Sequence, residues 1–300
     1  MGANMGIVTS YRNEGLWLKG NLHTHTKNSA CGFYPLEEVA GTYAANPMKY
    51  DFLAITDHES LTDVSSVQGL NDMIVFPGVE YKAIKYQTLG INISSYEDDN
   101  KNEENHQEIF DKVIAQGGIN IICHPHLHIP DYWPLEKLFS LSGYMGIEIY
   151  NHNVKMNNAG RAVAVDVWDE LLSRGKRVYG IASDDFHHRS RYGGAFLMVQ
   201  ASEKNASSIL HALKKGSFYA STGILLKNIS IGENNCITLE NANEEVPDVV
   251  FRFVGYQGKT LAEMQGPKAA YTIKGTERYV RVEVSREDGS KAWTQPFFIE

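Results

Sequence analysis

Two histidines, His23 and His25, flank a single threonine in the stretch GNLHTHTKNS at residues 20–29. In an extended strand alternate side chains share a face, so both imidazoles would point the same way. Such a pair serves as a metal chelate, as a platform for ion pairs, or as nothing in particular. The rest of the chain narrows the choice. Asp57 and His58 stand in AITDHE, Glu80 in FPGVEY, His124 in IICHPH, and Asp185 and His187 in SDDFHH. Each follows a short apolar run. Neutral imidazole donates a nitrogen lone pair, and a carboxylate can bridge two cations and offset their repulsion. Mixed nitrogen and oxygen donors of this sort suit Zn, Mn or Fe ions. His58 is the better ligand of its pair, with Asp57 as a partner that orients an imidazole. The Asp-x-His spacing favours Asp185 over Asp184.

These residues need elements that carry them to one place. From residue 16 to about 220, apolar runs alternate with helical patterns. The runs are LWLKGNLH, YDFLAITDH, MIVFPGVE, INIICHPH, GYMGIEIYN and RVYGIASDD. The helical patterns include PLEEVAGTYAAN, with Pro35 at its start, and NNAGRAVAVDVWDELLSRG, where Val163, Val167 and Leu171 repeat at helical spacing. Such alternation implies a parallel sheet or a barrel. Both folds keep their active sites at the C-terminal strand ends, where the polar residues here stand. No glycine-rich phosphate loop follows the first strand. Beyond about residue 222, β-rich runs such as LLKNISIGE, CITLENA, VVFRFVGYQ and YVRVEVSRED are separated by Gly, Asn, Asp and Pro. They predict a small antiparallel sandwich, and it contains no His. The expected organisation is a catalytic α/β unit over 1–222 and an all-β sandwich over 223–300.

Composition excludes several functions. A net charge of −8 without a basic cluster argues against a nucleic-acid track. No apolar run approaches the ~20 residues a membrane helix needs, and MGANMGIVTS lacks a signal-peptide pattern. The expectation is a soluble, cytoplasmic protein with no membrane partner, unless a leader has been removed. Three cysteines, Cys31, Cys123 and Cys236, are too few for a disulfide framework.

In this order, HTH, ITDH, GVE, CHPH and DDFH resemble the polymerase-and-histidinol-phosphatase (PHP) superfamily, over roughly residues 18–220. SACG after HTHT, the DDFH form and the sandwich tail are most similar to the branch of CehA/McbA-like hydrolases and predicted phosphoesterases. The resemblance implies a distorted (β/α)7 TIM-like barrel with one to three divalent ions at its C-terminal face. By position, His23, His25, Glu80 and Asp185 would hold the first ion. Glu80 would bridge to a second, shared with His124, while His58 and His187 would serve a third. Cations there would acidify water towards about 7, and Asp185 or His187 would act catalytically by passing a proton to the leaving group. Two departures stand out. Ala30 occupies a position where relatives carry Asp, leaving the next residue, Cys31, as a thiolate or outer ligand. QTLGIN, around Thr88, lacks a His found in many members.

The activity implied is hydrolysis of a small phosphoester. The alternatives are a carboxylic or carbamate ester hydrolase on the same metals, and a non-catalytic metal- or ligand-binding module. Phosphate calls for cations that are not ligands, and Arg189 and Arg191 are nearest, followed by Lys155 and Arg161. His126, Asn151 and His152 are further substrate-contact candidates. Glu148 either points into the barrel mouth or caps a buried polar contact. His188 supports the site or is solvated. Cys123 reads as a small buried hydrophobe, His128 as surface, and His106 and His211 as surface or satisfied core. The acidic run EDDNKNEEN, 97–105, reads as a solvated loop and helix start.

Overall fold

The computed structural model describes residues 6–12, 14–82, 85–97, 105–242 and 249–300. Within them the first part of the chain alternates as the apolar pattern requires. It runs β1 (Ile7–Val8), β2 (Leu16–Asn21), α1 (Leu36–Ala44), β3 (Phe52–His58), β4 (Ile74–Tyr81), β5 (Thr88–Ile91), α2 (His106–Ala115) and β6 (Ile119–Ile122). It continues α3 (Leu135–Ser140), β7 (Tyr144–Asn151), α4 (His152–Asn157), α5 (Val165–Ser173), β8 (Tyr179–Ser183), β9 (Phe196–Ala201), α6 (Ala206–Lys215) and β10 (Phe218–Ser221).

Strands β2, β3 and β4 pair in parallel, β5 runs antiparallel to β4 and β6, and β6, β7 and β8 are again parallel. Just past the ends of β2 and β8 the ring closes through a parallel bridge between Thr24 and Phe186. There the His25 amide donates to the Phe186 carbonyl at 2.9 Å, and the Phe186 amide to the His23 carbonyl at 3.3 Å. Seven strands thus form a distorted barrel that is closed at the end bearing the candidate residues. Lower down, β2 leaves β8 and pairs antiparallel with β9. The wall strands read as unbroken apolar runs because helices cover them outside and side chains fill them inside. In β3, for example, Phe52 to Asp57 are all buried.

Two sequence expectations change. The helix expected from NNAGRAVAV begins only at Val165. Val163 instead bridges Tyr150, and the Ala164 amide donates to the Ile149 carbonyl at 2.9 Å. Gly160 starts this turn at φ 114°, where a Cβ would lie 2.2 Å from the His126 carbonyl oxygen. The short β5, with a glycine inside, went unpredicted, and QTLGIN is the segment that reverses the strand direction.

The remaining chain builds β11 (Leu226–Gly232), β12 (Cys236–Asn241), β13 (Val249–Val254), β14 (Thr260–Gly266), β15 (Lys268–Thr272), β16 (Tyr279–Ser285), β17 (Lys291–Thr294) and β18 (Phe297–Ile299). One sheet is β11-β12-β15; the other joins β14, β13, β16, β17 and β18. Ile229, Ile237, Leu239, Phe251, Phe253, Val282 and Val284 fill the space between them. The fold is therefore an α/β barrel followed by an all-β sandwich. The two are fastened by β10 pairing with β17, by β1 pairing with β18, and by Arg281, which grips Asp169 of α5 at 2.8 and 2.6 Å. No helix among the described residues is long and apolar enough to cross a membrane.

Candidate metal centre

The barrel mouth gathers side chains from five strand ends. His23 and His25 lie past β2, His58 ends β3, Glu80 is within β4, His124 follows β6, and Asp185 and His187 follow β8. His23 Nε2 is 3.1 Å from Glu80 Oε2 and 3.3 Å from Asp185 Oδ1. His25 Nε2 is 3.2 Å from that Glu80 oxygen and 3.3 Å from that Asp185 oxygen. All four residues are buried, and none of these four atoms has a hydrogen bond of proper geometry. Four orphaned polar atoms crowded together in a barrel would be costly unless something satisfies them. Donors about 2.0–2.1 Å from one ion at tetrahedral corners stand about 3.3–3.4 Å apart, so the observed spacings fit a cation. Around this core, His58 Nδ1 is 2.9 Å from Glu80 Oε2, His124 Nε2 is 3.2 Å from Glu80 Oε1, and His187 Nδ1 is 3.3 Å from Asp185 Oδ1.

Hydrogen bonds on the outer sides of the rings fix which nitrogen faces inward. His23 Nδ1 lies 2.8 Å from Glu148 Oε1; an ionised carboxylate only accepts, so Nδ1 carries a proton, and in the neutral ring that a cation would bind Nε2 holds the lone pair. The Ser29 hydroxyl donates to Asp57 at 2.7 Å and therefore accepts from His25 Nδ1 at 3.0 Å, which leaves that Nε2 a lone pair too. Glu148 also accepts from the His124 amide at 2.8 Å, from Asn151 Nδ2 at 2.9 Å, and from the Ser183 hydroxyl. His124 and Asp185 adopt positive φ, 25° and 48°, conformations held by this network and concentrated at functional sites.

Electrostatics match the donor set. Burial opposes charge on His23, but Asp185, Glu80 and Glu148 outweigh it and hold its pKa well above the ordinary value. Burial likewise opposes ionisation of Glu80, yet His23, His124 and His25 keep its carboxyl well below the usual range. The Cys31 thiol is half-buried and hydrogen-bonded to His187 and His58; against the effect of burial these rings bring it down to about 5.

Other candidates take different positions. Asp57 is no part of the donor cluster: it accepts from the Thr26 amide and hydroxyl at 2.7 Å each, from Ser29, and from Thr62 at 2.6 Å. Asp184 binds the Gly193 and Ala195 amides at 2.9 and 2.8 Å and Tyr43 at 2.8 Å, and burial raises its pKa to about 7. Asn151, expected to meet substrate, is turned inward instead: it supports Glu148 and Asp185 and caps α4 through the Val154 amide. His126, likewise expected to contact substrate, is occupied by the Asp131 amide at 3.1 Å, Asp166 at 3.2 Å and Arg161. Arg189 points away to Glu38 at 2.6 Å and is 61% exposed. Arg191 donates from Nε to Asn153 at 3.0 Å, and Asn153 in turn donates to Asp185 at 3.3 Å. His152 is partly buried beside the Tyr150 hydroxyl at 3.2 Å.

Lys155, His128, His188 and His211 are exposed; His106 is buried and bonds the Tyr86 carbonyl at 2.8 Å. Cys123 is buried with its sulfur near His23, Glu80, His124 and Glu148, and burial holds it as a thiol. Of the acidic run at 97–105, residues 98–104 lie outside the described residues. Sequence reasoning undervalued Glu148 and missed Ser29 and Asn153. A glutamate inside the apolar run GIEIYN was a signal, whereas Ser29 and Asn153 carried none.

The fold matches a two-domain protein from Bacteroides vulgatus that contains a predicted PHP-like metal-dependent phosphoesterase. The TM-score is 0.53 at 16% identity, over 97% of this chain and 98% of that one. PsfC from Pseudomonas syringae matches with a TM-score of 0.44 at 14% identity, over 65% of this chain and 87% of that one. No family model and no curated protein matches the chain. The chain thus shares the barrel-plus-sandwich fold of the Bacteroides protein.

Proposed function

We propose that this chain is a metal-dependent phosphoesterase of the PHP superfamily, acting on a small phosphorylated molecule. The observation that carries the reading is the convergence of His23 Nε2, His25 Nε2, Glu80 Oε2 and Asp185 Oδ1, buried and without hydrogen bonds. These four would hold a first Zn, Mn or Fe ion. Glu80 Oε1 with His124, and His58 with His187 and Cys31, would hold up to two more. Bound ions supply Lewis acidity and an acidified water at neutral pH.

The chain's own residues do the rest. Glu148 and Ser29 orient the imidazoles, and Asn151 with Asn153 anchors the outer oxygen of Asp185. His187 gives Nδ1 to the Asp185 carbonyl at 2.9 Å, which leaves Nε2 as its titrating face at the more open edge of the cluster. With no ion at the third position, that Nε2 is free to hand a proton to the departing oxygen. Arg191, positioned by Asn153, is the cation that meets phosphate. The catalytic unit in this reading spans 1–222 and the sandwich 223–300. The narrower likeness to the CehA/McbA branch rests on the sequence motifs alone.

A second reading, a carboxylic or carbamate ester hydrolase on the same metals, is favoured by the pairing of Arg189 with Glu38 and of Arg161 with Asp166. Both pairs withdraw cations that phosphate would use. The test is metal-loaded protein assayed on p-nitrophenyl phosphate, bis(p-nitrophenyl) phosphate and p-nitrophenyl acetate. Turnover of a phosphoester is expected. Turnover of the acetate alone supports the second reading, and inactivity on all three at full metal loading leaves a binding module.

A further inference from the structure

Nine large apolar side chains are exposed among the described residues, and three follow barrel strand ends: Phe33 in the loop after β2, Ile129 in the loop after β6 and Met156 in α4 after β7. Single exposed apolar residues are ordinary on a protein surface, so the number alone means little. Phe33 is different in how it is presented. It is 68% exposed, yet the loop that carries it is fastened. The Lys27 amide donates to the Tyr34 carbonyl at 2.7 Å, Ser29 to Thr26 at 3.1 Å, and Gly32 to Ser29 at 2.9 Å. Gly32 is required for this path, since a Cβ there would stand 1.9 Å from the Thr26 carbonyl oxygen. The Phe33 ring meets the exposed His188 edge-on at 5.9 Å and Tyr34 at 6.4 Å, and Tyr34 meets His188 at 5.9 Å.

This aromatic group adjoins the donor cluster on both of its strands of origin. Phe33 is two residues from Cys31, which bonds His58 and His187, and His188 directly follows His187. Arg189 stacks over Tyr34 at 5.2 Å and holds Glu38, which fixes the far side of the group. Beside these contacts Phe33 stays 68% exposed.

We propose that Phe33, backed by His188 and Tyr34, is the platform for a planar aromatic ester group, making the preferred substrate an aryl phosphate. The inference rests on the phosphoesterase reading of the adjoining site. Hydrolysis forms a bond from a water oxygen to phosphorus and breaks the bond from phosphorus to the aryl oxygen. That oxygen leaves with the bonding pair and is protonated to the phenol. Stacking of the ring on Phe33 covers an aromatic face already held in place, so ordering the platform costs little.

The experiment is titration calorimetry of Zn- or Mn-loaded protein with phenylphosphonate and propylphosphonate, which cannot be hydrolysed. Wild type should bind the phenyl compound about tenfold more tightly than the propyl compound. Phe33→Ala should bring that ratio to about one, and Phe33→Tyr should retain it. A wild-type ratio near one, a ratio unchanged in Phe33→Ala, or no binding of either phosphonate would overturn the proposal. Phenyl phosphate hydrolysis is measured on the same preparation. Its absence beside an intact binding ratio counts against the phosphoesterase reading and supports the platform.

Discussion

At the scale of single residues, the outer faces of the imidazoles decide what their inner faces can do. Glu148 accepts the Nδ1–H hydrogen bond of His23, so removing its charge weakens both the tautomer and the basicity of Nε2. Glu148→Gln is expected to lower metal affinity about 10- to 100-fold, as read by competition with a chelator; unchanged affinity would show that Glu148 only fills space. The arginines separate as sharply. Arg191→Ala should cut kcat/KM on p-nitrophenyl phosphate about 10- to 100-fold, the worth of one charge-assisted hydrogen bond. On a phosphomonoester without an aryl group, Arg189→Ala, whose partner is Glu38, should stay within about twofold. Equal losses in steady-state assays would mean that the pairings seen here do not govern phosphate binding. The seven donor residues were legible in the sequence because they recur beside apolar runs in a fixed order. Ser29 and Asn153 were not, since a serine or asparagine in a loop has no pattern until the fold gives it partners.

At the scale of elements, the parallel strands were readable from apolar runs ending in polar residues, and α1 from its Pro35 start. What escaped were β5 and the true start of α5. Both depend on tertiary pairing: β5 exists by bonding β4 and β6, and Val163 bridges Tyr150 rather than entering the helix. The turn between β7 and α4 makes its own test. His152 at the head of α4 has its pKa lowered from 6.5 to about 4, first by burial, then by Lys155 and Arg191. The unfolded chain binds this proton more readily, so stability is fully present above about pH 6.5 and falls as pH drops towards 4. His152→Gln should flatten the dependence of the urea midpoint on pH across that window. An identical slope in the variant would place the titration elsewhere.

At the scale of the whole molecule, barrel and sandwich are one continuous β-structure, joined by β10–β17 and clamped by Asp169 and Arg281. The clamp is buried, so Asp169→Ala leaves the guanidinium with Glu283, 3.9 Å away, as its remaining carboxylate and should cost about 3 kcal/mol in chemical unfolding. A loss under about 1 kcal/mol would show the guanidinium reaching water instead. The seven-stranded closure at Thr24 and Phe186 brings His23 and His25 beside Asp185 across a gap of some 160 residues in sequence. No local pattern announces a contact of that separation, although the order of motifs did. Everything functional rests on this closure creating a cation site. The direct measurement is an anomalous-scattering map from crystals grown with Zn²⁺ or Mn²⁺. The account predicts a peak about 2.0–2.2 Å from His23 Nε2, His25 Nε2, Glu80 Oε2 and Asp185 Oδ1. A map with no peak among those four atoms, at saturating metal, would contradict it.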